Sequence, residues 1–186
     1  MLIRFFACLL LFGWVGITIA DELTAEFRVK NAETRVVDEV YRLDANIDFR
    51  LASVMKEALL SGVDLVIELQ IKVVNERDWM WNANIAELSL RYQLRYHALS
   101  ERYLVIDVST GLQQNFRQLD DALQFIGNIR DFPMLDQRLL SVGDFYIAQL
   151  RAVLDKESLP TPMKLQAYTL SRWNLLSEWY SWPLQP

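Results

Sequence analysis

Residues 86–97 read AELSLRYQLRYH, and their alternation decides the fold class. Leu88, Leu90, Tyr92, Leu94 and Tyr96 fall on one parity, with Glu87, Ser89, Arg91, Gln93 and Arg95 on the other. Successive side chains of a strand point to opposite faces, so the pattern predicts a strand with one dry and one wet face. A wet face argues for antiparallel sheet, because parallel sheets are covered on both sides.

Downstream, a short turn at Leu99 to Glu101 leads into RYLVIDV, the hairpin partner. Upstream, GVDLVIELQIKVV places Val63, Leu65, Ile67, Leu69, Ile71 and Val73 inward. From Tyr41 to Phe49 the odd positions are apolar (Tyr41, Leu43, Ala45, Ile47, Phe49) and the even ones polar. DFYIAQLRAVL alternates through Tyr146, Ala148, Leu150, Ala152 and Leu154. Two stretches change period. LASVMKEALLSG spaces Leu51, Val54, Met55, Ala58 and Leu59 as on a helix that stops at Gly62. QLDDALQFIG does the same with Leu119, Ala122, Leu123 and Ile126, and its Asp120 and Asp121 suit the positive end of the helix dipole. Each helix follows Phe-Arg, and EALLSG resembles DALQFIG, a faint sign of a duplicated strand, helix, strand unit. Pro133 predicts a loop between Arg130 and Val142, and LPTP (159–162) a turn or extended connector. The stretch 163–184 reads as two short strands in preference to a helix, with Trp173 and Leu175 on one side and Tyr180, Trp182 and Leu184 on the other. The fold expected over residues 21–186 is a mainly β, antiparallel, sandwich-like domain with two short α-helices.

The first twenty residues carry one cation, Arg4, and no acid; they are apolar from Phe5 and end in small residues at Thr18 and Ala20. That is the build of a secretory signal peptide. The apolar run falls short of the ~20 residues a spanning helix needs, though an uncleaved inner-membrane anchor is the alternative. Cleavage after Ala20 removes Cys8, the only cysteine, so a periplasmic or secreted product has to rest on its packed core without disulfides. It leaves 18 cations against 24 acids, a net of −6. Such a charge disfavours nucleic acid and anionic membrane surfaces as partners, leaving the membrane only through an uncleaved leader.

Known chemistries are mostly missing. His97 is the only histidine and follows a strand on its polar face; no serine sits in a G-x-S-x-G elbow. Zinc sites need several His or Cys ligands. Asp44-x-Asn46-x-Asp48 copies the start of a calcium loop, but Phe49 and Met55 stand where glycine and a bidentate glutamate belong. There is no phosphate loop and no dinucleotide fingerprint. The reading is no metal, no cofactor and no catalytic residue.

Aromatics remain. DWMWNA (78–83) brackets Met80 with Trp79 and Trp81, and Trp173, Trp179 and Trp182 cluster late in the chain. The upstream strand's parity turns Trp79 and Trp81 inward and the downstream strand's turns them outward, so core anchors and a contact platform are both open readings. The candidate partner-binding residues are Trp79, Met80, Trp81, Trp179 and Trp182.

YRLDANIDFRL, ERDWMWNA, LSLRYQLRYHALSERYLV, GDFYIAQLRAVLD, LPTPMKLQAY and WNLLSEWYSWPL, in this order behind a leader, resemble the domain of unknown function 4390, a family of exported bacterial proteins. The resemblance supplies no catalytic residue. By the association of its genes with a membrane sensor kinase, it implies an envelope partner such as that kinase's periplasmic domain. The function expected is a non-enzymatic periplasmic interaction module. The alternatives are a carrier of a small apolar or lipid-like ligand and, third, a glycan-directed hydrolase with two carboxylates roughly 5–10 Å apart.

Overall fold

A computed structural model describes residues 25–76 and 83–184. In chain order its elements are β1 (Glu26–Val37), β2 (Val40–Arg50), α1 (Ser53–Leu60), β3 (Leu65–Glu76), β4 (Ala83–His97), β5 (Arg102–Asp107), β6 (Gln113–Phe116), α2 (Leu119–Gly127), β7 (Asn128–Asp136), β8 (Phe145–Leu154), α3 (Thr161–Thr169) and β9 (Tyr180–Leu184). The strands form two antiparallel sheets, one ordered β1-β2-β7 and the other β6-β5-β4-β3-β8-β9. Among the described residues no helix is long and apolar enough to cross a membrane.

The alternating strands fold as their pattern predicts. β3 is the centre of the large sheet, and Leu65, Ile67, Leu69, Ile71 and Val73 on its inner face are wholly buried. Burying each such side chain contributes about 1.5–3 kcal/mol, so β3 is the main seat of the core. On β8 the inward Ala148 and Ala152 are small, and β1 packs across β8 and β9. Phe27 and Phe49 meet edge to face at 4.8 Å at one end of the small sheet. On β4 the inward parity is also as read: Leu88 pairs with Ile71, Leu90 with Leu69 and Tyr92 with Ile67. Yet these three are only half-buried, and Leu94 alone on that strand is fully covered. β1 of the small sheet packs over β8 and β9, whereas among the described residues the main packing on β4, β5 and β6 from outside their sheet comes from α1 and α2.

α1 and α2 are crossovers between sheets. α1 carries the chain from β2 in the small sheet to β3 in the large one, and α2 returns it from β6 to β7. The two similar segments therefore do opposite jobs in unlike surroundings.

Three expectations are corrected. Of the stretch from Arg130 to Val142, expected to be a loop because of Pro133, the part up to Asp136 belongs to strand β7. It is an edge strand, and Pro133 sits at a register shift opposite Arg42, where a missing N–H breaks no ladder bond. The connector at 159–162 runs into a third helix, α3, with Pro162 in its first turn, where its missing N–H has no helical partner to lose. The later stretch 163–184 accordingly divides into helix and the single strand β9 rather than two strands.

Candidate functional site

The pairing register gathers one end of the sandwich. Glu76 pairs with Phe145, Asn75 with both Tyr146 and Ala83, and Tyr146 with Leu184, so the ends of β3, β4, β8 and β9 meet there. The Gln137 N–H donates to the Glu39 carbonyl at 2.7 Å, which brings the β1–β2 turn to the same end. Residues 77–82 join β3 to β4 at this place. Trp79, Met80 and Trp81 lie outside the described residues, so only their point of attachment is fixed.

Around that attachment the surface is apolar. Leu139, Val142 and Phe145 are 61%, 93% and 79% exposed, three large apolar side chains within seven positions. The segment that bears them is pinned from beneath. The Asp144 carboxylate accepts from buried Asn75 Nδ2 at 3.1 Å and from the Tyr146 hydroxyl at 3.2 Å. That hydroxyl in turn accepts from the Ser141 N–H at 3.0 Å. A buried amide and a buried phenol thus spend their polar groups holding a loop whose apolar side chains face water.

The rim of this end is acidic. Asp38, Glu39, Glu76, Asp136 and Asp144 lie on it, and Arg138 is bound by Asp136 at 2.7 Å. Hydrogen bonds from the Arg138 side chain, and then from its backbone N–H, hold the Asp136 carboxyl down at about 2.

The C-terminal tryptophans are not part of one platform with this end. Trp182 is 8% exposed, its Nε1 donating to Thr34 Oγ1 at 3.2 Å; it pairs with Ala148 on the inner face and packs in the core. The inward parity of β9 turns its ring toward the core. Trp179 is half-buried, with the Arg151 guanidinium 4.3 Å and the Lys72 ammonium 5.6 Å from its ring centre. Arg151 is further fixed by Gln70 at 2.8 Å and Lys72 by Glu87 at 3.2 Å. Trp179 adjoins Tyr180, which pairs with Leu150, five residues along β8 from Phe145 or about 17 Å at strand spacing.

Elsewhere polar side chains pair across the small sheet. Asp44 is paired with Arg35 and accepts the Asp131 N–H at 3.0 Å, and Asp131 binds Arg35 and Arg42. Asn46 donates to Asn31 at 2.9 Å and Asp48 lies 3.4 Å from Lys30, so all three side chains of the calcium-like spacing are engaged within the sheet. His97 is exposed at the β4–β5 hairpin, its Nδ1 3.0 Å from Ser100 Oγ, as expected of a solvated turn residue. One feature escaped sequence reasoning: a cleft of about 720 Å3 between the small sheet and α2, lined by Lys30, Asp48, Arg50, Gln124, Asn128 and Arg130 among others. Its residues come from four elements, and no local motif marks them.

Residues 24–183 match the model of the family described as Domain of unknown function (DUF4390). The chain belongs to that family. The match runs from just before β1 into β9 and so spans both sheets and the apolar end. No curated protein and no solved structure matches the chain.

Proposed function

We propose that this DUF4390 protein is a non-enzymatic interaction module, exported to the periplasm on its leader, which grips an envelope protein through the apolar end of the sandwich. The observation that carries this reading is the exposure of Leu139, Val142 and Phe145 on a loop pinned by Asn75, Asp144 and Tyr146. Exposed apolar clusters on a fixed scaffold are the usual anchors of protein contacts. Trp79, Met80 and Trp81 enter from the same end by chain connectivity and extend the contact. The acidic rim specifies the complement: an apolar surface bordered by cations, on a protein rather than on an anionic lipid surface. The periplasmic domain of a sensor kinase is a candidate of that kind.

A second reading, a carrier of a small apolar ligand, draws on the half-buried strip Leu88, Leu90 and Tyr92 that the small sheet leaves uncovered. It predicts an apolar molecule in organic extracts of the purified protein.

The test is capture from cell-envelope extract with wild type beside two variants, Val142→Ser/Phe145→Ser and Trp79→Ala/Trp81→Ala, each checked for folding by circular dichroism. The captured protein is then purified and titrated against each. Folded variants that bind at least tenfold more weakly support the reading. Unchanged binding by both folded variants removes the contact surface.

A further inference from the structure

The cleft beside α2 is not used by the contact proposed above. β7 pairs with β2 only as far as Asn46 opposite Asn128, because residue 127 still belongs to α2. Beyond that point the β2 edge from Ile47 to Arg50 is met by the helix instead of a strand, and the cleft opens between them. At about 720 Å3 it falls within the roughly 300–1,000 Å3 of small-molecule sites. Gly127 sets its depth: a Cβ there would stand 2.1 Å from the Ile47 carbonyl oxygen, so only glycine lets the helix end lie this close.

The lining is rich in donors. Lys30, Arg50 and Arg130 face Asp48 and Asp120, an excess of cations in a chain that has 19 cations and 24 acids overall. Asn31, Asn46, Gln124 and Asn128 add amides that both donate and accept. Arg50 is held by Glu26 at 2.8 Å and Lys30 lies 3.4 Å from Asp48. The side chains of Arg130, Gln124 and Asn128, by contrast, engage no partner among the described residues. Ile47, Phe49 and Leu123 supply an apolar floor.

We infer that this cleft is a binding site for a small, oxygen-rich anion of about disaccharide size, a carboxylated sugar. The free guanidinium of Arg130 takes the carboxylate, for which its planar fork is suited. The amides take hydroxyls, and the apolar floor takes the carbon face of the ring. Fields of exposed charges are screened beyond about 8 Å at physiological salt, so a small ligand meets the local cations and not the acidic chain as a whole.

The test titrates the full protein with digalacturonic acid, with uncharged cellobiose and with inorganic phosphate, by calorimetry and by amide NMR. Digalacturonate is expected to move the Gly127, Asn128 and Arg130 signals and to bind at least tenfold more tightly than cellobiose. Arg130→Gln should weaken it at least fivefold. Gln124→Glu, which adds an acid on the exposed helix face without removing a wall, should do likewise. Failure of digalacturonate to move these signals overturns the site. Equal binding of cellobiose overturns the role of charge, equal binding of phosphate alone overturns the saccharide-sized ligand, and unchanged binding by both folded variants overturns the placement. Partner capture by the apolar end is independent of all these outcomes.

Discussion

Replacing Gly127 by alanine tests the packing on which both the fold and the cleft depend. The added Cβ would lie 2.1 Å from the Ile47 carbonyl oxygen and 3.2 Å from both the Ile47 carbonyl carbon and Phe49 Cε2. The oxygen belongs to the backbone of β2, the middle strand of the small sheet, where Ile47 is paired with Val29. It cannot swing aside as a side chain could, so the end of α2 must lift by about 1 Å. Overpacking costs about 1–3 kcal/mol, and a backbone collision belongs near the top of that range. Alanine's better helix propensity returns at most ~1 kcal/mol. The net expectation is a loss of about 2 kcal/mol, or roughly 4–8 °C in Tm for a domain of this length. Urea unfolding followed by circular dichroism, with an unchanged m value, measures it. Gly62→Ala is the control: Gly62 has a φ of 85° but no atom within 4 Å of its Cβ position, so it loses only about 1 kcal/mol of backbone strain. If Gly127→Ala is as stable as wild type, α2 does not lie against β2 in this way and the wall of the cleft is elsewhere.

Tyr146→Phe leaves the Ser141 N–H without its acceptor and the Asp144 carboxylate with one donor fewer; it should cost about 1–2 kcal/mol and weaken partner capture. Capture at full strength would show that the loop needs no pinning. Trp173 is 1% exposed, yet its Nε1 has no acceptor among the described residues. Trp173→Phe removes that unpaired donor together with some apolar area, so urea unfolding should place it within about 1.5 kcal/mol of wild type, against about 3–5 kcal/mol for Trp173→Ala. Equal losses would mean that the indole N–H is satisfied. Asp136 has a folded pKa of about 2, below the ~3.9 of an unperturbed aspartate, so its stabilising effect is complete above pH 4 and disappears as pH falls toward 2. Carboxyl 13C titration should find it near 2 in wild type and near 4 in Arg138→Gln; a value still near 2 in the variant would assign the shift to another group.

The strands legible in the sequence are those with unbroken alternation. In β2, β3 and β8 the inner face is covered along nearly its whole length, and every second residue is apolar for that reason. β1 gave no such signal. A bulge between Val29 and Asn31 puts Phe27 and Val29 on one parity and Ala32 on the other, so the period breaks although the strand continues. α3 was silent for a different cause. Ala167 is its only fully buried residue, while Leu165 and Tyr168 are exposed, so there is no apolar stripe from which to read a helical period. The alternation of β4 fixed which residues turn inward but not how deeply they lie, because depth depends on where the other sheet ends. The cleft illustrates the same limit: Lys30, Arg50, Gln124 and Arg130 become neighbours only through a strand that stops where a helix begins.

The two ends of the chain reach the sandwich at different places, and this bears on how the module is presented. Glu26 pairs with Arg50 at one end of the small sheet. β1 then runs twelve residues, about 40 Å at strand spacing, before the turn at Asp38 and Glu39 beside the apolar end. Leu184, by contrast, pairs with Tyr146, next to exposed Phe145. A domain joined ahead of Ala25 is therefore attached at the end of the small sheet away from Leu139, Val142 and Phe145. A bulky fluorescent domain fused ahead of Ala25 should accordingly leave partner affinity within about twofold of wild type. The same domain fused directly after Pro186 should weaken it tenfold or more, and a long flexible linker at that junction should restore it. If the N-terminal fusion blocks the partner and the C-terminal one does not, the contact lies at the opposite end of the sandwich, among the residues around Ala25 and the β4–β5 hairpin.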